Sequence, residues 1–166
     1  CLDTSGIMFP KKHTRTDQIS EREISLTGIS ENKASDRMEK IEQLMSVTDL
    51  VMLDIKHIND EEHQKLTGQS NSNILAFAKY LDAIGKPVWI RHVVVPGITF
   101  DEKELTELGL FLKTLHNVEK LEVLPYHSMG KVKYDNLGMD YVLKDTPQLT
   151  KAEAKEAENM IRAAMK

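Results

Sequence analysis

The stretch Leu50–His57 carries two charged side chains whose types and spacing could do chemistry. Asp54 and Lys56 lie two residues apart at the end of a short run of branched apolar residues. Such a run is typical of a strand buried on both faces in a parallel sheet, where alternate side chains point the same way. Asp54 and Lys56 therefore share one face with Met52. They lie at the carboxyl end of the strand, where α/β folds have their ligand-binding and active sites. There they could form a structural ion pair or bind a polar ligand.

Two further polar residues belong to later strands. Arg91 interrupts the apolar run Val88–Val95, and a buried guanidinium needs an anion or a carboxylate partner. His127 follows the apolar segment Leu121–Leu124, and a histidine in such a place is more often a structural hydrogen-bonding group than a chemical one. Because the carboxyl ends of parallel strands meet at one edge, we expect Arg91 and His127 at the level of Asp54.

Amphipathic segments separate the predicted strands. Their apolar residues recur at helical spacing, and in the last of them Thr150 and Glu153 have the spacing of a capping box. The alternation predicts an α/β fold with a parallel sheet of about four strands, half of an ordinary barrel. The glycine pattern of dinucleotide-binding folds and the Walker phosphate loop are both absent from the sequence. Three predicted helices are Asn59–Leu66, Asp101–Leu115 and the segment from Thr150. A further helix, capped by Ser35 or Asp36, would carry Met38, Ile41 and Met45 on one stripe. Another would end at Gly85 and bury Ile74, Phe77, Ala78 and Leu81.

Composition narrows the classes of function. The chain has 22 Lys and Arg against 26 Asp and Glu and only 5% aromatic residues, without a basic stripe, which argues against nucleic acid as the main partner. No apolar segment is long enough to span a bilayer and nothing at the start resembles a secretory signal, so we expect a cytoplasmic protein with no membrane partner. Cys1 is the only cysteine, too few to hold an iron–sulfur cluster.

One domain is expected for residues 1–166. The first six residues predict the end of a strand followed by a polar turn, and Asp3 and Thr4 lie where the strand passes into the loop. The alternative interpretation is a plain turn or a helix cap. From about 7 to 34 the sequence is polar with few apolar residues. This composition predicts a surface insertion or partly disordered loop, in which Ile24–Ile29 could form a short edge strand.

Several blocks of the sequence resemble, in order, the carboxyl-terminal part of the pyruvate formate-lyase activating enzymes. Together they cover most of Thr48–Lys133, with Cys1–Gly6 as an outlier at the front. Each block alone is a weak signal, whereas the ordered set is specific. The blocks are Val47–Lys56, Asn59–Gly68, Phe77–Leu81, Val88–Gly97, Asn117–His127 and the pair Gly130 and Lys131.

The resemblance implies a radical S-adenosylmethionine enzyme of the glycyl-radical-enzyme activase group. Its fold would be a partial parallel (β/α) barrel, of which this chain holds only the carboxyl-terminal half. In that family a [4Fe-4S] cluster reduces S-adenosylmethionine, and the resulting 5′-deoxyadenosyl radical removes a hydrogen from a glycine of the partner enzyme. The implied partners are a glycyl radical enzyme of the pyruvate formate-lyase type and an electron donor such as flavodoxin or ferredoxin.

Carried onto this chain, the resemblance implies roles for individual residues. Asp54 and Lys56 are similar to the ribose-side contacts to S-adenosylmethionine. Val93 is similar to an adenine-side backbone contact, and His127 to a contributor to the same pocket. Arg91 is similar to a polar member of the cavity. The set similar to the family's monovalent-cation site, beside the cofactor's carboxylate, consists of Asp3, Thr4, Met52 and Asp54.

The chain departs from the family pattern in two respects. The family holds its cluster in a Cys-x-x-x-Cys-x-x-Cys loop and meets the methionine end of the cofactor with a Gly-Gly-Glu segment, and this sequence contains neither. The chain alone is therefore expected to be inactive, and no catalytic residue is assigned. The insertion at about 7–34 stands where the family has a short link. A truncated or degenerate non-catalytic chain and an activase of a different glycyl radical enzyme stay open as alternatives.

Overall fold

The computed structural model describes residues 1–10 and 36–166 of the chain. The predicted edge strand Ile24–Ile29 and most of the predicted insertion lie outside these ranges. In the described part, four strands lie side by side in chain order, and each neighbouring pair is parallel. This arrangement confirms the predicted α/β class. The strands are β1 (Leu2–Thr4), β2 (Val51–Asp54), β3 (Val88–Val94) and β4 (Val118–Pro125).

Six α-helices are present in the described residues, and local capping signals explain where several of them begin and end. The Asn59 side chain accepts hydrogen bonds from the first amides of the second helix, which ends at Gly68 with a φ of 74°. Thr150 and Glu153 form the predicted capping box of the last helix. The helices are α1 (36–46), α2 (Asp60–Thr67), α3 (Ser72–Ala83), α4 (Glu102–Lys113), α5 (Lys131–Asn136) and α6 (Lys151–Ala164). No helix in this part of the chain combines the length and the apolar character needed to cross a membrane.

The two faces of the sheet differ in burial. On β3, Val88 and Ile90 are fully buried, whereas Trp89 and Arg91 are half-buried. The buried side chains of β2 and β3 join apolar residues of α3, α4 and α6 in one core, which leaves the polar side chains on the opposite face. The sequence predicts a strand buried on both faces, but in the structure only one face of β2 is fully buried. The polar residues of the sequence analysis therefore lie on the more open face.

The residues directly after β1 pack onto α3. The Phe9 ring centroid lies 5.3 Å from that of Phe77 and 5.2 Å from that of Tyr80. The backbone carbonyl of Ile7 accepts a hydrogen bond of 2.9 Å from the side chain of Asn73. The beginning of the segment that composition assigns to an insertion is thus attached to the core, because the apolar side chains of Ile7 and Phe9 pack against it.

Helices α4 and α6 approach each other closely at Gly109. A Cβ atom at this position would lie 2.4 Å from the backbone oxygen of Ile161 and 2.6 Å from the Cβ of Ala164. Neither atom belongs to a flexible side-chain end, so a larger residue would force the helices apart. Gly109 therefore allows the close contact between α4 and α6.

We predict that Gly109→Ala lowers the free energy of unfolding by about 1–3 kcal/mol, because overpacking outweighs the gain in helix propensity. Denaturant unfolding followed by circular dichroism measures this change. The matched control is Leu110→Ala, at the next position of the same helix, where the side chain is 52% exposed. Equal stabilities of the two variants would contradict the proposed close packing.

Candidate functional site

The strand register brings the predicted polar residues onto neighbouring strands. Asp3 of β1 lies opposite Met52 of β2, and Asp54 of β2 lies opposite Arg91 of β3. Side chains at paired positions of parallel strands point to the same face. Lys56 follows two residues after Asp54 and is directed to the same side, where it contacts the Asp54 carboxylate. The four charged groups therefore meet on the open face, at the carboxyl end of the sheet.

These side chains form one continuous ion network. The Arg91 Nε donates to Asp54 Oδ1 at 2.7 Å, and the Arg91 Nη2 donates to Asp3 Oδ1 at 2.6 Å. The Lys56 Nζ donates to Asp54 Oδ2 at 2.8 Å. Each oxygen of the Asp54 carboxylate thus accepts one charge-assisted hydrogen bond, and Arg91 connects all three strands β1, β2 and β3.

The network favours the ionised forms of Asp54 and Arg91. Partial burial raises the pKa of Asp54, but the hydrogen bonds and positive charges of Arg91 and Lys56 lower it by more in total, so the pKa lies below its usual value. The hydrogen bond to Asp54 raises the pKa of Arg91 further above its usual value. Asp54 and Arg91 therefore present fixed charges near neutral pH, which suits binding of a polar ligand.

The residues of the predicted cation site fall into two groups. Asp3, Met52 and Asp54 belong to the open face, and Arg91 contacts both carboxylates. Thr4 pairs with buried Leu53 on the other face, and its hydroxyl accepts a hydrogen bond from the amide of Gly6 at 3.0 Å. Within residues 1–10 and 36–166 no group of three or more His, Cys, Asp or Glu residues could hold a metal ion. The monovalent-cation site stays a prediction.

The two remaining predicted contacts lie further along the same edge. Val93 shares the half-buried face of β3 with Arg91, and its carbonyl accepts a hydrogen bond of 2.8 Å from the Thr99 hydroxyl. His127 is exposed and lies two residues beyond the end of β4, in extended conformation. Their roles in a cofactor pocket also stay predictions.

A second set of polar contacts on the open face was not predicted from the sequence. The Lys120 Nζ lies 4.6 Å from the centroid of the Trp89 ring and 2.9 Å from Glu122 Oε1. Glu122 lies opposite Arg91 in the register of β3 and β4. Strand alternation could have placed Trp89 beside Arg91, but the predicted fourth strand began only at Leu121 and so excluded Lys120.

A group of buried polar residues on the opposite face, next to α4, was also not predicted from the sequence. A narrow cleft there is lined by His57, Ile58, His92, Thr99, Glu104 and Leu108. His92 Nδ1 lies 2.8 Å from the Ile55 carbonyl and must carry the proton of the neutral ring, because a carbonyl only accepts. His92 Nε2 and Glu104 Oε2 are buried and have no hydrogen-bond partner among the described residues. Burial lowers the pKa of His92 to about 4.

We predict that Asp54→Asn lowers the free energy of unfolding by about 1–3 kcal/mol, because it removes the charge that balances Arg91 and Lys56. The matched variant Asp3→Asn should cost at most about 1 kcal/mol, because exposed ion pairs contribute little. The Asp3 side chain is 53% exposed, against 20% for Asp54. Urea unfolding at neutral pH compares them, and an equal or larger loss for Asp3→Asn would contradict the central role of Asp54.

The depressed pKa of His92 predicts a loss of stability in acid. The unfolded chain binds a proton at His92 below its usual pKa of 6.5, whereas the folded chain does so only below about 4. Stability is therefore fully present above the unfolded value and falls as the pH drops from 6.5 to 4, by about 3 kcal/mol for this group.

The variant His92→Asn isolates this effect. Asparagine keeps an N–H group in reach of the Ile55 carbonyl but does not titrate. We expect the variant to be less stable than the wild type at neutral pH, because it leaves space in the core, and to lose less stability on acidification. Urea unfolding at several pH values between 7 and 4.5 measures both slopes, and identical slopes would exclude His92 as the cause.

Comparisons with known proteins add a second line of argument. No protein-family model matches the chain. A curated protein of Streptococcus mutans, named pyruvate formate-lyase-activating enzyme, is 51% identical over 124 residues, which are 75% of this chain and 47% of that protein. A protein of the same name from Staphylococcus epidermidis is 49% identical over 116 residues, 70% of this chain and 46% of that protein.

A solved structure agrees in fold. It is a domain of the pyruvate-formate lyase-activating enzyme of Bacteroides vulgatus, with a TM-score of 0.61 and 20% sequence identity over 76% of this chain and 69% of that domain. The chain spans about half the length of the curated relatives it matches. The resemblance identified from the sequence blocks is confirmed: over 75% of its length, this chain is similar to a pyruvate formate-lyase-activating enzyme.

Proposed function

We propose that this chain is the cofactor-side part of a glycyl-radical-enzyme activase. The main support for this proposal is the 51% identity to the Streptococcus mutans protein, which is named pyruvate formate-lyase-activating enzyme. In such an enzyme, a [4Fe-4S] cluster and S-adenosylmethionine would together supply the radical chemistry that removes a hydrogen atom from a glycine of the partner. The part proposed for this chain is to bind and orient the nucleoside end of S-adenosylmethionine.

The ion network supports this role because it has unused hydrogen-bonding capacity. Each oxygen of the Asp54 carboxylate accepts one bond from Arg91 or Lys56 and keeps a second lone pair. The Lys56 ammonium donates one of its three N–H groups to Asp54, and its side chain is 39% exposed. Ribose hydroxyls both donate and accept, so they suit this pair of groups. Val93 and His127 are proposed to contact the adenine side.

The [4Fe-4S] cluster does not fit the residues of this chain. Such clusters are held by cysteine thiolates, and the chain has one cysteine, Cys1, which is exposed. The proposal therefore gives this chain no part in holding the cluster. A complete reaction would need cluster ligands from outside these residues, together with an electron donor such as flavodoxin or ferredoxin.

Two other functions compete with this proposal. An activase of a different glycyl radical enzyme would use the same cofactor site, because the partner is recognised by surface groups that the fold does not determine. A non-catalytic chain that only holds the nucleoside end of the cofactor is favoured by the single cysteine. Our lead proposal keeps the pyruvate formate-lyase type as partner, because the names of the relatives state it.

Binding of S-adenosylmethionine to this chain, measured by isothermal titration calorimetry, tests the proposal. We expect Asp54→Ala to weaken binding by about 1–3 kcal/mol, or roughly 10- to 100-fold, because it removes a charged acceptor and leaves Lys56 and Arg91 unbalanced. The matched control is Asp49→Ala, an exposed aspartate just before β2, which should bind as the wild type does. No binding by the wild type, or equal affinities of both variants, would refute the assigned site.

A further inference from the structure

The buried side chain of His57 has two neighbours with opposite requirements. Its Nδ1 atom lies 3.1 Å from the backbone amide of Asn59, which donates a hydrogen bond to it. The same Nδ1 atom lies 3.6 Å from Glu104 Oε2. An imidazole nitrogen accepts from an amide only when it carries no proton, and it donates to a carboxylate only when it carries one. His57 can therefore satisfy one neighbour or the other, but not both.

The Glu104 carboxylate is the neighbour that His57 leaves without a hydrogen bond. Glu104 Oε2 is buried and has no hydrogen-bond partner within the described ranges. An unpaired buried carboxylate oxygen is costly, so a donor that reaches it gains free energy. Glu104 belongs to the first turn of α4, whose positive helix end favours the ionised form. A protonated His57 is the donor nearest in geometry, and it needs to move by only about 0.8 Å to form a charge-assisted bond.

The other titratable groups near His57 come from β3, α2, α4 and the turn that contains Lys56. His92 of β3 lines the same cleft and stays neutral in mild acid, since burial lowers its pKa to about 4. Lys56, the preceding residue, directs its ammonium group to the Asp54 carboxylate on the open face. Glu62 of α2 interacts electrostatically with His57. Glu104 of α4 places its Oε2 atom 3.6 Å from the ring Nδ1.

The amide side of the choice connects His57 to the candidate cofactor site. Asn59 is the cap residue of α2 and ends the turn that begins after β2 and contains Lys56. The Asn71 side-chain amide donates hydrogen bonds to two backbone carbonyl groups of this turn. They are those of His57, at 3.2 Å, and Ile58, at 2.6 Å. Loss of the Asn59 amide bond would therefore loosen the turn locally while its carbonyl contacts persist.

We propose that His57 is a positioning residue that works as a proton-operated latch for the turn after β2. The neutral ring accepts the Asn59 amide and holds the turn that presents Lys56 to Asp54. The protonated ring turns to Glu104 and releases the amide of Asn59. The latch itself is inferred from the contacts of His57 with Asn59 and Glu104. Its effect on binding of S-adenosylmethionine rests on the proposed function.

Nuclear magnetic resonance of the isotope-labelled chain tests the latch. The ring nitrogen shifts of His57 report which nitrogen carries a proton, and hydrogen exchange gives the protection factor of the Asn59 amide at each pH. We expect an unprotonated Nδ1 at pH 7.5. As the ring titrates, we expect the protection factor of Asn59 to fall at least tenfold.

Three variants separate the latch from a merely structural role. His57→Gln keeps an acceptor for the amide but does not titrate, so protection at Asn59 should not vary with pH. Glu104→Gln removes the competing carboxylate, so release should move to lower pH. His116→Gln, at a histidine whose side chain is 89% exposed, should leave the wild-type behaviour unchanged.

Three results would overturn the latch: a protonated Nδ1 at neutral pH, unchanged protection of Asn59 while His57 titrates, or uptake of the proton by Glu104. The wild type and Glu104→Gln suffice for this decision if His57→Gln does not fold. Affinity for S-adenosylmethionine, measured at the same pH values, should fall with Asn59 protection in the wild type and stay constant in His57→Gln. Absence of binding at every pH would refute the proposed function, while the exchange data would still decide the latch.

Discussion

The ion pair between Asp54 and Arg91 is the interaction on which the open face of the sheet depends. Both side chains are only about one-fifth exposed, so each is partly desolvated and needs the other. A guanidinium in that position without a carboxylate would carry an unbalanced charge next to the core. Because Arg91 also binds Asp3, the pair links three strands and fixes where their side chains stand relative to one another. Any ligand on this face meets charges whose positions are already set.

Burial of the apolar face sets the strand register that places Asp54 beside Arg91. Leu53 and Ile90 are fully buried at paired positions of β2 and β3, directly before Asp54 and Arg91. A slip of one residue in either strand would turn its apolar side chains to the open face and its charged one into the core. The hydrophobic packing against α3, α4 and α6 therefore selects the register, and the register brings the charges together.

Much of this arrangement could be predicted from the sequence because strands have a period of two. Alternation alone placed Met52, Asp54 and Lys56 on one face, and the cost of a buried charge required an anion or a carboxylate partner for Arg91. The start of β4 could not be predicted in this way, because Glu119 and Lys120 are exposed and carry no apolar signal. The proximity of His57 and Glu104 could not be predicted from the sequence either. The two residues are 47 positions apart along the chain, and only the packing of α4 on the sheet brings them within 3.6 Å.

The balance of charges constrains how the proposed cofactor and cation could share this face. Two carboxylates, Asp3 and Asp54, already meet two cationic groups, Arg91 and Lys56, in one network. A neutral ribose can join it through unused lone pairs and N–H groups without displacing any member. A monovalent cation between Asp3 and Asp54 would instead compete with the guanidinium that now contacts both. Because like charges repel, the guanidinium of Arg91 would weaken binding of such a cation unless it moved away from the two carboxylates.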